Sequence, residues 1–249
     1  MTTARTRTAT VMAFRDQRRR PLVPILLVVA PAVVVLWSVA ITQPQPRLID
    51  LPGGAHVVTT MKSLHGPEMA LFGVAFVTAL VGVFVMQSSL QADRRLIVAG
   101  FSPREALLPR LAVLLVATAI VVAVSALVTA LNFTPDAWPP VIAALALAGL
   151  TYAAIGALAG AVLNRLPATY LILFLTMTDI GIVQDPMFHT DPGDLAVLLP
   201  GYGASRAMFD GAYVSGFHAQ ADLLLGAGWV IALGAILVVL LIRAIGARK

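Results

Sequence analysis

The side chains that could bind a metal or move protons are four histidines and twelve acids, since the sequence has no cysteine. The lack of cysteine excludes disulfides, thiolate chemistry and Cys-ligated metals. His56 and His65 fall in one predicted loop, and His189 and His218 fall in another. Neither pair has the spacing of a metal site. The sequence therefore predicts no bound metal and no catalytic residue.

Nucleotide and hydrolase motifs are also missing. The sequence contains no G-x-x-x-x-G-K-[ST] phosphate loop, no H-E-x-x-H motif and no G-x-S-x-G motif. We therefore expect this chain to be no enzyme and to bind no cofactor of its own.

Composition indicates a membrane protein. Of the 249 residues, 59% are hydrophobic and 12% are charged, and the mean hydropathy is +0.91. Soluble domains are ~45–50% apolar and ~25% charged. So little polar sequence excludes a large extramembrane catalytic domain, and residues 1–249 are predicted to form a single membrane domain.

Six apolar runs approach the ~20 residues that a membrane-spanning helix needs. They are Leu22–Ile41, Met69–Leu90, Leu111–Leu131, Val141–Leu163, Ala168–Val183 and Leu223–Ile245. A further stretch, Leu195–Val214, is interrupted by Pro200 and Gly201 and carries Arg206 and Asp210, so we do not count it as a span. The fold class predicted is an all-α integral membrane protein with six transmembrane helices.

The basic residues predict the orientation. Fourteen of the seventeen Lys and Arg residues fall on the side of the N-terminus, and only Arg47, Lys62 and Arg206 fall on the other. Because cytoplasmic loops carry the excess of basic residues, both termini are expected in the cytoplasm. This one-sided distribution accounts for the net charge of +5 without nucleic acid as a partner. The preference for Arg over Lys, with much Ala and Val, is typical of a GC-rich bacterial genome.

The N-terminal segment Thr10–Arg20 mixes apolar and Arg residues. It is either a helix lying in the membrane interface or a basic tail that sets the topology. The 20-residue run after it, Leu22–Ile41, is longer than the ~7–15-residue core of a signal peptide, so we expect the first span to be retained.

The connection between the second and third spans, residues 91–110, contains signals for a sharp helical corner. Gly100 suits the end of one helix, and Ser102 suits the N-cap of the next, with Pro103 at its first position. Glu105 completes a capping box with Ser102. The side chains exposed at this corner are expected to include Phe101, Arg94, Arg95 and Arg104. The simpler interpretation is a well-capped turn whose arginines only mark the cytoplasmic side.

The connection before the last span, residues 184–222, is unusually apolar for a loop. We expect two short helices that dip into the outer leaflet, the first capped by Asp194. Between them lies the string Leu199-Pro200-Gly201-Tyr202. The alternative is an amphipathic hairpin on the membrane surface.

Asp179 is the only acid placed within a predicted span, and Thr176 lies beside it. An intramembrane acid is costly, less so toward the end of a helix. Asp179 either reaches water in the outer leaflet or, with Thr176, forms a polar point in a substrate path or a helix contact.

Together these features resemble the permease subunits of type-2 ABC exporters. The resemblance is one of layout over the whole chain: a basic N-terminal segment, six spans, a corner after the second span and a semi-apolar hairpin before the sixth. The string Ala99-Gly100-Phe101-Ser102-Pro103-Arg104-Glu105 is similar to the family's recurring corner, and Leu198-Leu199-Pro200-Gly201-Tyr202 is similar to its outer hairpin.

The resemblance implies that a separate cytoplasmic ATPase dimer, which holds ATP and Mg, docks on the corner. It implies that Arg94, Arg95, Phe101, Arg104 and Glu105 contact this ATPase. It also implies a path for a hydrophobic or amphipathic cargo, such as a drug or a lipid, between two permease chains, identical or related. Two other classes stay open: an ion-coupled secondary carrier, and a non-transporting membrane anchor or regulatory subunit.

Overall fold

The chain is folded as a bundle of long helices with one short hairpin of strands. The computed structural model describes residues 10–12, 15, 22–50, 56–98, 102–188 and 193–246. The helices are α1 (Leu22–Ile41), α2 (Met61–Val98), α3 (Pro103–Asn132), α4 (Trp138–Val162), α5 (Arg165–Thr178), α6 (Tyr202–Tyr213) and α7 (Gln220–Gly246). The other elements are β1 (Pro46–Asp50), β2 (His56–Thr60), a π-helical turn (Asp179–Val183) and a 3-10 helix (Asp194–Leu198). Of the predicted interfacial segment Thr10–Arg20, residues 10–12 and 15 are helical and the rest lies outside the described residues.

Within the described ranges, five helical segments are long and apolar enough to cross a membrane. They are Met61–Ser88, Leu107–Asn132, Trp138–Val162, Arg165–Val183 and Gln220–Arg243. The described apolar part of α1, Ile25–Ile41, is shorter. Large apolar side chains point outward from the bundle, including Trp37 (67% exposed), Phe174 (70%) and Ile231 (72%). These helices are compatible with a largely α-helical protein that crosses the membrane several times.

The centre of the bundle is the crossing of α2 and α4, which share few bulky side chains at their contact. A Cβ atom on Gly156 would lie only 1.9 Å from the carbonyl oxygen of Ala79, and one on Gly160 would lie 2.7 Å from that of Val83. Small residues at such positions let two helix backbones approach closely, which is how apolar helices gain packing energy in a membrane.

The remaining helices surround this pair. α1 packs on α2 and α3, α5 packs on α2, and α7 packs on α4. The short helix α6 lies between α4 and α7. Its Gly203 is so close to α7 that a Cβ there would lie 2.2 Å from the carbonyl oxygen of Asp222.

The region between α1 and α2 differs from the all-α expectation. β1 and β2 pair antiparallel, with Pro46 opposite Thr60 and Asp50 opposite His56. The run of β-branched residues in β2 favours this extended conformation. The Oγ1 atom of Thr60 then accepts the N–H of Ser63 at 3.1 Å, as an N-cap side chain does, and α2 begins eight residues before the predicted second span.

Candidate functional site

The capping box predicted at the α2–α3 corner is present. Ser102 is the N-cap of α3, and its Oγ accepts the N–H of Glu105 at 3.3 Å. The Oε2 atom of Glu105 accepts the Ser102 N–H at 2.8 Å. Two backbone N–H groups at the start of α3 are thereby satisfied by side chains, with Pro103 in the first turn. The capping box therefore fixes the backbone at the start of α3.

The other residues predicted at this corner are only partly described. Arg94 and Arg95 lie in the last turns of α2, and Arg104 lies in the first turn of α3. Gly100 and Phe101 lie outside the described residues.

The inner end of α2 is tied to its neighbours by polar contacts just inside the corner. Arg110, which the sequence interpretation used only as a marker of the cytoplasmic side, is buried, and its Nη1 donates to Sδ of Met86 at 3.1 Å. The Nε2 atom of Gln87 donates to the carbonyl oxygen of Leu163 at 3.1 Å. The Arg165 guanidinium lies 4.6 Å from the ring centroid of Phe84. Movement at the corner is therefore linked to α3 and to the short turn between α4 and α5.

Asp179 lies in a contact between helices and does not reach water. Its carboxylate is buried, at 1% exposure. The Oδ2 atom accepts the hydroxyl of Tyr152 at 2.6 Å and the N–H of Gly201 at 2.8 Å. The Nε2 atom of Gln184 donates to Oδ1 at 3.4 Å and also to the carbonyl oxygen of Ala196 at 3.2 Å. Tyr152 belongs to α4, Gln184 directly follows the π-helical turn, and Gly201 belongs to the hairpin. The Asp179 carboxylate thereby holds the hairpin through Gly201, a residue far from it in the sequence.

The local backbone explains why Asp179 can reach both partners. α5 ends at Thr178, and the chain continues as the π-helical turn Asp179–Val183. Such turns are rare and are frequently found at functional sites. Thr176 does not join the network, because its buried hydroxyl donates to the carbonyl oxygen of Ile172 in its own helix at 2.7 Å.

The apolar hairpin has the two predicted short helices, a 3-10 helix and α6. α6 is buried within the protein, including Met208 and Phe209, so its backbone is covered as membrane depth requires. The prediction that Asp194 caps the first helix is wrong: Gly193, with φ of +75°, occupies the N-cap, and Asp194 is the first residue of the 3-10 helix. Glycine is favoured at Gly193 because that φ lies in the left-handed region.

The connecting string of the hairpin, Leu199-Pro200-Gly201-Tyr202, has both covered and accessible members. Leu199, Pro200 and Tyr202 are half-buried and Gly201 is buried. A Cβ on Gly201 would lie 2.8 Å from Oδ1 of Asp179, so glycine permits the close approach to the carboxylate. The ring of Tyr202 lies 5.6 Å from the Arg206 guanidinium.

A second buried acidic cluster was missed by the sequence interpretation. Glu68, assigned to an outer loop, is buried on the first turns of α2 at 1% exposure, and Asp185, after the π-helical turn, is buried equally. Their side chains interact directly. The Nδ1 atom of His65 lies 3.1 Å from Oε2 of Glu68. The signal that could have shown this was Thr60 as an N-cap, since it extends α2 through Glu68.

A further buried acid, Asp210, organises the start of α7. Its Oδ2 atom accepts the N–H groups of His218 at 2.7 Å and Ala219 at 3.1 Å, just before the helix begins at Gln220. Carboxylates are favourable at this position because the first N–H groups of a helix lack partners.

A metal site finds no support in the part of the chain that the structure describes, where no three His, Asp or Glu residues are grouped to hold an ion. His189 lies outside that part. Comparisons with family models, curated proteins and solved structures found no match for this chain. The likeness to exporter permeases therefore depends on the layout of this chain alone.

Proposed function

We propose that the protein is the membrane-spanning subunit of an ATP-driven exporter of the type-2 ABC kind, located in a bacterial cytoplasmic membrane. In this proposal α1, α2, α3, α4, α5 and α7 cross the bilayer and both termini are cytoplasmic. One chain forms half of the path and pairs with a second permease chain. The cargo is hydrophobic or amphipathic, a drug or a lipid.

The observation that carries the proposal is the capped corner between α2 and α3. A docking site for an ATPase has to transmit a push, and a corner held by reciprocal hydrogen bonds between Ser102 and Glu105 deforms less than an open loop. The buried contact of Arg110 with Met86 stiffens the helices immediately behind it. In this interpretation Arg94, Arg95, Phe101 and Arg104 face the ATPase, and Glu105 supports them from within the corner.

The hairpin supplies a second supporting feature. α6 is packed between α4 and α7, and Asp179 fixes the start of α6 through Gly201. A tied hairpin at the far end of the bundle can close the path on the outer side while the ATPase acts at the corner. ATP and Mg belong to the partner, which is why this chain needs no phosphate loop.

Co-purification from the native membrane tests the proposal. We expect an ATPase to co-purify with the wild type and to be lost from the double variant Phe101→Asp, Arg104→Glu. The matched control is Val58→Asp, Arg47→Glu, which makes the same kinds of change on the exposed β-hairpin. Retention of the ATPase by the control but not by the corner variant supports docking at the corner. If wild type brings down no ATPase, the exporter proposal fails.

The second candidate is an ion-coupled carrier. Carriers use buried ionisable groups, and Glu68 and Asp185 are two buried ionisable groups in addition to Asp179. Transport by reconstituted protein without any ATPase, driven by a proton or sodium gradient, would establish the carrier instead.

A further inference from the structure

We infer that Glu68 and Asp185 share one proton and form a proton-binding site at the end of α2 opposite the capped corner. This inference does not depend on the exporter proposal, since it concerns groups at the other end of the bundle.

The geometry of the two carboxyl groups is the basis of the inference. Both side chains are 1% exposed, so water does not solvate them. The Oδ1 atom of Asp185 accepts the N–H of Met187 at 2.7 Å, and Oε2 of Glu68 faces Nδ1 of His65 at 3.1 Å. The Oε1 atom of Glu68 is also buried, and among the described residues it has no N–H or O–H donor.

The hydrogen bond between the two carboxyl groups requires a proton of their own. Ionised carboxylates are acceptors only, so two of them cannot hydrogen-bond to each other. Two carboxylates that share a buried site cannot both remain ionised, because their repulsion is not screened by water. A proton between Glu68 and Asp185 removes one charge and supplies the donor that the hydrogen bond between the two carboxyl groups needs.

Other titratable groups around the pair are few in the described part of the chain. His65 lies on α2 itself, and Tyr213 on α6 feels the charge of Glu68. From β2, the uncharged hydroxyl of Thr59 interacts with Tyr213. Because these groups include no Lys or Arg, a proton is the partner that neutralises the negative charge of the two carboxyl groups.

The site connects two segments that are far apart in the sequence. Glu68 belongs to α2, and Asp185 belongs to the segment that leads from the π-helical turn to the hairpin. Burial, followed by the charge of Glu68, raises the pKa of Asp185 to about 8. The pair therefore holds its proton at neutral pH and releases it in mildly alkaline solution, where the two carboxylates repel each other and loosen this connection.

Infrared difference spectroscopy of the purified full-length chain tests the inference. We expect one buried carboxylic acid per chain, seen as a C=O stretching band that disappears as the pH is raised from about 6 to about 10, on either side of the pKa of about 8. In Asp185→Asn and in Glu68→Gln the band should change in frequency and in the pH at which it disappears, because the carboxyl that remains has lost its carboxyl partner. The band should be unchanged in the control Asp194→Asn, which neutralises an exposed acid in the same connection.

Each variant replaces a carboxyl by an amide that can still donate the missing hydrogen bond. If one of them does not fold, the other and the wild-type titration decide. The absence of a titrating carboxylic band from wild type, or an unchanged frequency and unchanged titration of the band in folded Asp185→Asn and Glu68→Gln proteins, overturns the inference.

Discussion

The hydroxyl of Tyr152 donates a 2.6 Å hydrogen bond to the same oxygen of Asp179 that accepts the N–H of Gly201. One buried atom thereby joins α4 to Gly201, which lies just before α6, and to the π-helical turn. The position of the hairpin accordingly depends on a side chain near the middle of α4.

We expect Tyr152→Phe to increase opening of the hairpin. The change removes the α4 donor from Asp179 and leaves the contacts with Gly201 and Gln184, at a cost of about 0.5–1.5 kcal/mol. Because the chain has no cysteine, opening can be followed by thiol labelling of a Met208→Cys protein, in which the new thiol replaces a fully buried side chain. Labelling should be about three- to tenfold faster, since each 1.4 kcal/mol is a factor of ten.

The control for this measurement is Tyr170→Phe, in which the altered tyrosine is 63% exposed on α5. It should label at the wild-type rate. Equal rates for Tyr152→Phe and Tyr170→Phe would show that Asp179 does not hold the hairpin.

Most of the helices could be predicted because local sequence determines them. Each predicted apolar run lies on one helical segment, and α1 has the predicted bounds Leu22–Ile41. The corner was also predictable, since the capping box between Ser102 and Glu105 involves residues three apart. The β-hairpin was not predicted, because its two strands lie in a short polar loop that carries no membrane-spanning pattern.

The partners of the buried acids could not be predicted, because they come from distant parts of the chain. Asp179 has a polar environment only after Tyr152 and Gly201 are brought to it, and the sequence places neither beside it. Glu68 and Asp185 come from different connections, both predicted on the outer side and outside the membrane spans. A charge pattern read along the chain cannot distinguish a solvated acid from one that tertiary packing covers.

Gly156→Ala is expected to destabilise the bundle. The loss of stability should be larger than for an alanine introduced at a helix glycine that has open space around it. The added Cβ would lie 1.9 Å from the Ala79 carbonyl oxygen, so α2 and α4 must separate. Overpacking of this kind costs about 1–3 kcal/mol. The thermal unfolding midpoint in detergent should fall clearly.

The matched control is Gly234→Ala on α7, where a Cβ meets nothing within 4 Å. Alanine is favoured over glycine in a helix by about 1 kcal/mol, so this variant should be as stable as wild type or more stable. Similar losses in both variants would contradict a close α2–α4 contact.

Ser102→Ala should loosen the first turn of α3. The change removes the acceptor for the Glu105 N–H, and loss of an N-cap side chain costs about 0.5–2 kcal/mol. Hydrogen exchange at the amides of the first turn should become roughly three- to tenfold faster or more. Ser102→Thr keeps a capping oxygen and should exchange like wild type. If Ser102→Ala also does so, the capping box does not rigidify the corner.

The free energy of unfolding should fall as the pH rises from about 4 to about 8. Burial and the charge of Glu68 raise the pKa of Asp185 to about 8 in the folded protein, whereas an Asp in an unfolded chain has a pKa of ~3.9. Between these values the folded state holds a proton that the unfolded state has released, so raising the pH favours unfolding. The contribution is fully present below pH ~4 and is lost once the pH has passed about 8.

Asp185→Asn removes this titration, and the asparagine keeps a donor for Glu68. The thermal unfolding midpoint of that variant should therefore depend less on pH than the wild-type midpoint does. The two slopes should differ only between pH values of about 4 and about 8. Asp194→Asn, which changes an exposed acid, should keep the wild-type slope. A wild-type slope in Asp185→Asn would mean that Asp185 is ionised in the folded protein at neutral pH, and that the link between α2 and the hairpin segment does not depend on a proton.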